Sequence, residues 1–473
     1  MLSAAVIAPL KSAVGPKGFS EDPAVIAPHL KEPGNQYHGN SLLLLEPATT
    51  KEVSAILAIC HQSGTAITPQ GGNTGLVGAQ IPLNGEVLLS TRRLNRINHL
   101  DGRDQTLIAE AGVVLDDIHR AAREHGLMFP VSLAAEGSCT IGGNISTNAG
   151  GVNVLRYGMT RDSVLGLEVV LADGTILEML RTLHKDNAGY DLKHIFIGAE
   201  GTLGIVTAAA LQLYPEPTER ATAFAAVPNL SGAVQLLTQM QAKTGGLLSA
   251  FEIIPRIGIE FVCKYIPGTR DPLAVASPWY VLLEATGGVG ARLSTYFEDA
   301  LAESLAAGFV SDAVVPASQA HAAMLWRVRE SLSEAQGKAG AVVRHDVSVP
   351  ISAIPDFVTR ASAAVLAAVP GVRPVIFGHL GDGNLHFNLS APEHLDGATF
   401  LTRRTDIQSL ILDIVKEFSG SISAEHGIGI LKRDELLRYK SVAELEVMRT
   451  LKRTFDPRNI LNPGKLVLPN SFN

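Results

Sequence analysis

Over its first 215 residues the chain alternates short apolar runs with amphipathic stretches, which predicts strands followed by helices. Leu42 to Leu45 reads as a strand. Thr49-x-x-Glu52 then resembles a capping box, opening a helix with Val53, Ile56 and Leu57 on one face that stops before Gly64. Thr65 to Thr68, Val87 to Leu89 and Thr106 to Glu110 are further strands, and Asp116 to His125 is an amphipathic helix closed by Gly126. Val164 to Leu171 and Ile176 to Glu178 flank Asp173-Gly174, a hairpin signal. Residues 1–38 carry Pro, Gly and scattered charge without a clear period and are expected to form a lead-in with one short helix.

Beyond Pro215-Glu216-Pro217 the pattern turns to Ala- and Leu-rich helices, Gly232 to Lys243 and Ser294 to Ala307, alternating with strands such as Trp279 to Glu284. A domain boundary is expected near Tyr214. His321 to Gln336 reads as one helix with Trp326, Arg329 and Ser333 on a single face, and Val343 to Pro350 as a strand with Arg344 at its start. Ser441-x-x-Glu444 is a second capping box, opening a helix from Val442 to Phe455.

The run from Pro374 to Leu389 places two β-prone stretches around Asp382-Gly383, the signal for a two-residue turn. Such a turn sets His379 opposite His386 on one face, with Cβ atoms roughly 5 Å apart. Two imidazoles that close can grip one divalent ion, and Asn388 points to the same face. Glu425, beside His426 in a Gly-flanked segment, is the expected third ligand. The plain alternative is a core histidine pair beside an ordinary turn.

At 473 residues the chain is long enough for two or three domains. Its 39 basic and 46 acidic residues give a net charge of −7, which argues against a nucleic-acid partner. There is no basic leader and no run of about 18 uncharged apolar residues, so a cytoplasmic protein without a membrane span is expected. Cys60, Cys139 and Cys263 are widely spaced and are expected to be buried thiols rather than a disulfide framework or a zinc knuckle.

Three glycine-rich segments follow strands. Pro69, Gln70, Gly71, Gly72, Asn73, Thr74, Gly75 and Gly78 form a loop whose N–H groups can converge on a diphosphate, although neither GxGxxG nor GxxxxGK[ST] occurs. Gly137, Ser138, Ile141, Gly142, Gly143, Asn144, Ser146, Thr147, Asn148 and Gly151 belong to a stretch too poor in bulk to pack a core, but suited to a flat polar ligand. Glu200, Gly201, Gly204, Ile205 and Val206 form the third. Each alone reads equally as a linker; together they point to a cofactor.

These segments resemble the flavin-contacting segments of the FAD-linked oxidase family, which has the vanillyl-alcohol oxidase or PCMH-type fold. His379 to Asn388 and Glu425 to Gly429 resemble its metal-dependent D-2-hydroxyacid dehydrogenase branch, which includes D-2-hydroxyglutarate dehydrogenase, D-lactate dehydrogenase and the flavin subunit of glycolate oxidase. The resemblance covers roughly residues 35–473. It implies an α+β chain with a two-subdomain PCMH-type FAD-binding domain at 39–214, an α+β substrate and metal domain at 215–424, and a segment at 425–473 returning to the flavin domain. Gly71 to Gly78 would hold the pyrophosphate, Ser138 to Asn148 the isoalloxazine and ribityl regions, and Glu200 to Val206 the adenine side, with Asn462 and Lys465 contributed by the tail. Asn73 stands where covalently flavinylated relatives carry histidine, so non-covalent FAD is expected.

The same resemblance implies Zn²⁺, with Mn²⁺, Co²⁺ or Fe²⁺ as substitutes, on His379, His386 and Glu425, and His426 as general base for hydride transfer to flavin N5. Arg329, Ser333 and Arg344 would bind the far carboxylate of a dicarboxylic substrate, and Asn388 and His426 its near end. Arg344 departs from the usual lysine and Ser333 from the usual threonine. The implied substrate is D-2-hydroxyglutarate, with D-malate or D-lactate as further candidates, and the rival is a D-lactate or glycolate dehydrogenase subunit. The implied acceptor is electron-transfer flavoprotein or a quinone-linked carrier, and the implied assembly a homodimer. Two His and a carboxylate also suit a mononuclear metal hydrolase or a metal-binding scaffold without turnover.

Overall fold

In the computed structural model, which describes residues 3–468, Val87–Ser90 lies between Leu44–Leu45 and Ile67–Gln70 in parallel register, with Gln70 opposite Ser90. The four residues of Val87–Ser90 are all buried, as expected of a parallel strand covered on both faces. Helix Thr50–Ser63 makes the crossover. Thr49 caps it by accepting the Glu52 N–H at 3.2 Å, but the Glu52 carboxylate takes the Ala48 N–H instead of the Thr49 N–H, so the box closes one residue early. The helix stops at Gly64 in the left-handed region, φ 68°.

The N-terminal residues are more than a lead-in. Helix Ala4–Val14 sends Leu10 and Val14 into the same core as Val53, Ile56 and Leu57, and Phe19–Ser20 adds an antiparallel strand to Leu44–Leu45. Pro9 lies inside this helix and reads as a breaker, which masks a Val6, Leu10, Val14 stripe at helical spacing. Residues 1, 2 and 469–473 of the expected lead-in and tail lie outside the described residues.

A five-stranded antiparallel sheet follows, in the order Ile97–Asp101, Thr106–Glu110, Ile205–Gln212, Val164–Val170, Ile176–Met179. The hairpin at Asp173-Gly174 forms as expected, with Val170 opposite Ile176. Helices Leu115–Arg123 and Ile141–Thr147 bury Leu115, Ile118, Ile141 and Ile145 in its core. The tail pairs with this part of the chain: Ile67 N–H donates to the Ile460 carbonyl and Asn462 N–H to the Ile67 carbonyl, both at 2.8 Å. Helix Val442–Phe455 opens with a complete capping box, and beyond it buried Asp456 accepts from Lys452 Nζ (2.6 Å), Ile460 N–H (3.0 Å) and Leu461 N–H (2.8 Å). Residues 3–151, 158–216 and 425–468 together make one compact unit.

Residues 152–157 and 217–424 make the second. Arg156 anchors the short insertion by donating to the Thr286 carbonyl and hydroxyl. The sheet of this unit is antiparallel, in the order Asp312–Val314, Glu219–Val227, Trp279–Gly287, Leu248–Pro255, Arg373–His379, Asn384–Ser390, Val342–Val343, with Asp346–Ser348 also on Asn384–Ser390. Ile351–Ala368 meets the length and hydropathy of a membrane span, yet it carries Asp356 and Arg360 and buries Ile354, Phe357, Val358, Ala361 and Val365 at helical spacing.

Three expectations are corrected here. The helix expected at 321–336 is two, Gln319–Glu330 and Leu332–Lys338, because Ser331 flattens to ψ −7°. The residues expected on one face are therefore divided between two helices. Cys60 and Cys139 are buried, but Cys263 is exposed.

Leu10 is fully buried, so Leu10→Ala is expected to lower the free energy of unfolding by about 2–5 kcal/mol in urea denaturation. A change near zero would return the N-terminal helix to the status of a lead-in.

Candidate active site

The three glycine segments meet around one cavity of about 800 Å³, its open mouth included. The first supplies Pro69 to Gly75, the second Gly142, Gly143, Asn144, Ser146 and Thr147, the third Glu200, Gly201, Gly204, Ile205 and Val206. The approach needs glycine: a Cβ on Gly72 would overlap the Ser138 carbonyl oxygen, and one on Gly71 the Thr140 hydroxyl. Three lining atoms, Thr91 Oγ1, Thr140 Oγ1 and Asn144 Oδ1, are buried without a hydrogen-bond partner, each costing about 1–3 kcal/mol until a polar ligand meets it.

Ala79, Gln80 and Thr91, which also line the cavity, lie outside the three segments, and Cys139 and Thr140 lie within the second without having been singled out there. The signal for Thr91 was available: it leaves the carboxyl end of a strand parallel to Ile67–Gln70, where ligands of parallel sheets gather.

Other candidates are placed elsewhere. Gly137 and Ser138 line a separate concavity with Arg92, Asn95 and Asp117. Ile141 is wholly buried in the core, and Gly78, at φ 74°, packs against Tyr37. Asn148 ends its helix in the left-handed region and accepts the Arg161 N–H at 2.9 Å. Gly151 donates its N–H to Glu425 at 2.9 Å. The Gln70 amide is spent on His29 and Gln80, and that of Asn73 on the Lys31 carbonyl. Asn462 Nδ2 donates to the Ala79 and Glu200 carbonyls at 2.9 and 2.8 Å, whereas Lys465 Nζ is buried without a hydrogen-bond partner, and burial pushes its pKa down to about 8.

The Glu200 carboxylate is engaged by the chain itself. Its two oxygens accept the N–H groups of Ile428 (2.7 Å) and Gly429 (2.8 Å), just past Glu425 and His426. The residue lines the cavity, while its carboxylate is engaged by the loop. Burial pushes the Glu200 carboxyl up to about 7, against two N–H donors that favour the ionised form.

In the second unit the hairpin does not turn in two residues. Phe377 pairs with His386 and Ile376 with Phe387, while Leu380–Asp382 forms a 3₁₀ turn that ends at Gly383, φ 88°. Only one turn residue is left-handed, whereas the expected tight turn needs two. His379 therefore pairs across with Glu252 on the neighbouring strand, not with His386. The two imidazoles still meet edge to face, ring centroids 5.6 Å apart.

Glu252 is 1% exposed and lies between His379 Nδ1 at 2.5 Å and Arg329 Nε at 2.7 Å. Burial raises its carboxyl pKa, but Arg329 and His379 outweigh this and hold it at about 2. Because a carboxylate only accepts, Nδ1 of His379 carries the hydrogen and Nε2 presents its lone pair, the orientation a metal-ligating histidine adopts. His386 Nδ1 stands 3.9 Å from Asp346. Asn388 is buried, donating to Gln336 at 3.1 Å and accepting the His345 N–H at 3.3 Å. Arg344 reaches over Gly337, one turn beyond Ser333, and both Arg344 and Ser333 are exposed. Arg329, in contrast, is withdrawn into its ion pair and stacks over Phe377.

A family model described as an FAD binding domain matches residues 41–180, and one described as FAD linked oxidases, C-terminal domain, matches residues 216–466. The chain belongs to the FAD-linked oxidase family. Among relatives of this chain, the mitochondrial D-2-hydroxyglutarate dehydrogenase of Arabidopsis thaliana is 40% identical over 464 residues, 98% of this chain and 81% of the relative. A putative mitochondrial D-lactate dehydrogenase of Schizosaccharomyces pombe is 36% identical, covering 95% and 86%. The solved structure of p-cresol methylhydroxylase with substrate bound shares the fold, with a TM-score of 0.78 at 16% identity over 99% of this chain and 98% of that one. FAD fits the cavity on the chain's own terms: glycine backbones that admit close approach and three buried oxygens without a partner in the protein among the described residues. Membership of this family sets the hydrolase alternative aside.

Glu252→Gln leaves Arg329 buried without its counter-charge and is expected to cost about 3–5 kcal/mol in chemical denaturation. A second expectation concerns pH. Glu200 holds its proton to about 7 in the folded protein and to 4.5 otherwise, so its contribution is full below pH 4.5 and is lost as pH rises through about 7. Relative to Glu200→Gln, the wild type should lose stability across that window, by about 1.4 kcal/mol per unit of pKa difference; a flat difference between the two proteins would contradict it.

Proposed function

We propose that the protein is an FAD- and metal-dependent dehydrogenase that oxidises D-2-hydroxyglutarate to the 2-keto acid, with D-malate or D-lactate as further substrates. The observation that carries this reading is the His379–His386 pair with the His379 tautomer set by Glu252, in the same unit as Arg329, Ser333 and Arg344. The likeness to relatives named for D-2-hydroxyglutarate supports it.

When bound, FAD supplies the hydride acceptor, and a divalent ion, Zn²⁺ in the first place, the Lewis acid that acidifies the substrate hydroxyl. His379, His386 and Glu425 are the proposed metal ligands. Glu252 keeps the His379 lone pair turned outward, and His426 takes the hydroxyl proton as general base. Ser333 and Arg344 bind the far carboxylate; the arginine fork suits a carboxylate bidentately where lysine offers a point charge. Arg329 keeps its Nε on Glu252 and turns its remaining N–H groups to the substrate, and Asn388 braces the near end. Asn73 offers no nucleophile for a covalent flavin link, so FAD is held non-covalently. Electrons leave to electron-transfer flavoprotein or a quinone-linked carrier, from a homodimer.

D-lactate is the second reading, favoured by the relative named for it. Anaerobic visible absorption decides between them. A yellow protein bleached fastest by D-2-hydroxyglutarate, and no longer bleached after chelation, is the expected outcome. Bleaching by D-lactate or glycolate alone would move the substrate, and bleaching that survives complete chelation would remove the metal.

A further inference from the structure

Glu200 occupies an unusual backbone position for a side chain, φ 51°, in the left-handed region that non-glycine residues seldom adopt. Four bonds hold it there. Its N–H donates to the Ser146 carbonyl at 2.8 Å, its own carbonyl accepts Asn462 Nδ2 at 2.8 Å, and its carboxylate takes the Ile428 and Gly429 N–H groups. Ser146 and Glu200 both line the flavin cavity.

The segment on the other side of these bonds is punctuated by glycine and held by main-chain bonds, among them Leu466 N–H to the Gly429 carbonyl at 2.9 Å. Gly427 and Gly429 are both left-handed, φ 81° and 52°, and Gly429 is followed by Ile430 and Leu431, whose N–H groups share the Val77 carbonyl at 2.9 and 3.2 Å. A Cβ on Gly427 would stand 2.7 Å from Glu200 Oε1, so the glycine is what lets the loop reach the carboxylate. Glu425 is pinned separately, through the Gly151 N–H at 2.9 Å. Gly151 thus holds Glu425, and the Glu200 clamp takes the chain up again two residues past His426.

We propose that Glu200 is a positioning residue: from the wall of the flavin cavity it seats the 425–429 loop, and so sets the presentation of the metal ligand Glu425 and the base His426. This rests on the ligand and base roles proposed above. The clamp is anionic and bidentate, one oxygen for each N–H. A glutamine would keep one acceptor and turn an NH₂ group at the second donor, leaving the loop half held and the cavity wall the same size.

The test uses the full chain with FAD bound, at a pH well above the Glu200 titration, with Glu200→Gln, Gly427→Ala and the double variant. Gly427→Ala disturbs the same seat from the loop side, without touching the cavity wall. Three quantities are read: amide hydrogen exchange of the 425–431 peptide, FAD affinity by flavin fluorescence, and Zn²⁺ affinity by competition with a chromophoric chelator. The expected result is exchange about tenfold faster, unchanged FAD affinity and Zn²⁺ affinity at least about tenfold weaker in each single variant, with the double variant no worse. Weakened FAD binding with normal loop exchange and normal Zn²⁺ affinity would make Glu200 a cavity wall and overturn the proposal. Unchanged Zn²⁺ affinity despite a loosened loop, or parallel losses that merely track a lower thermal midpoint, would overturn it as well. A wild-type protein that binds FAD but no divalent metal would remove the metal role of Glu425 proposed above, and the loop exchange would then decide the seat alone.

Discussion

A carboxylate taken out of water must find cations or N–H donors, and in each unit one buried glutamate meets that demand with residues next to the proposed chemistry. Glu252 does so with the Arg329 guanidinium and the His379 ring N–H, and its pKa falls to about 2. Glu200 does so with two neutral backbone donors, which do not offset its burial, and its pKa rises to about 7. The first arrangement is a strong ion cluster between strand and helix. The second spends stability at neutral pH on the placement of a loop, a trade often made near functional sites.

The cavity rests on a different constraint, the distance between backbones. Gly71 and Gly72 let the first loop lie against Ser138 and Thr140, and Gly142 packs where a Cβ would meet Ala111. Side chains are excluded from these contacts, so the polar atoms left facing inward are short ones, the hydroxyls of Thr91 and Thr140 and the amide of Asn144. A wide planar ligand with its own donors is what such a lining accommodates. Cavity and seat are connected, because Val77, whose carbonyl receives Ile430 and Leu431, follows directly on the loop that lines the cavity.

The sequence was most readable where local chemistry decides the outcome. The Ser441 capping box and the Asp173-Gly174 hairpin each state their conformation within a few residues, and each formed as expected. It was least readable where a partner distant in sequence decides. Nothing near Pro374 announces that Glu252 will pair with His379, 127 residues away, and that contact, together with the 3₁₀ turn, replaced the expected His379–His386 pairing. Arg329 was read as a substrate ligand because the family resemblance implies it; the ion pair of its Nε with the same Glu252 had no local signal. Likewise Glu200 sits in a cofactor-like loop, and only its bond to a segment 228 residues later shows where its charge goes.

This separation explains why the chain crosses between its units as it does. The flavin-lining loops, Glu425 and His426 all belong to one compact unit although they span positions 69 to 426, whereas His379, His386 and Arg329 belong to the other. A loop that must stay seated on the flavin side is best tethered by backbone N–H groups, because these do not depend on which side chains flank them. Histidines that must keep one tautomer are best held by a buried carboxylate on a strand, where rotamers are locked by packing. The two glutamates follow this division: Glu200 leaves a turn and takes main-chain donors, and Glu252 stands inside the strand Leu248–Pro255 and takes side-chain ones.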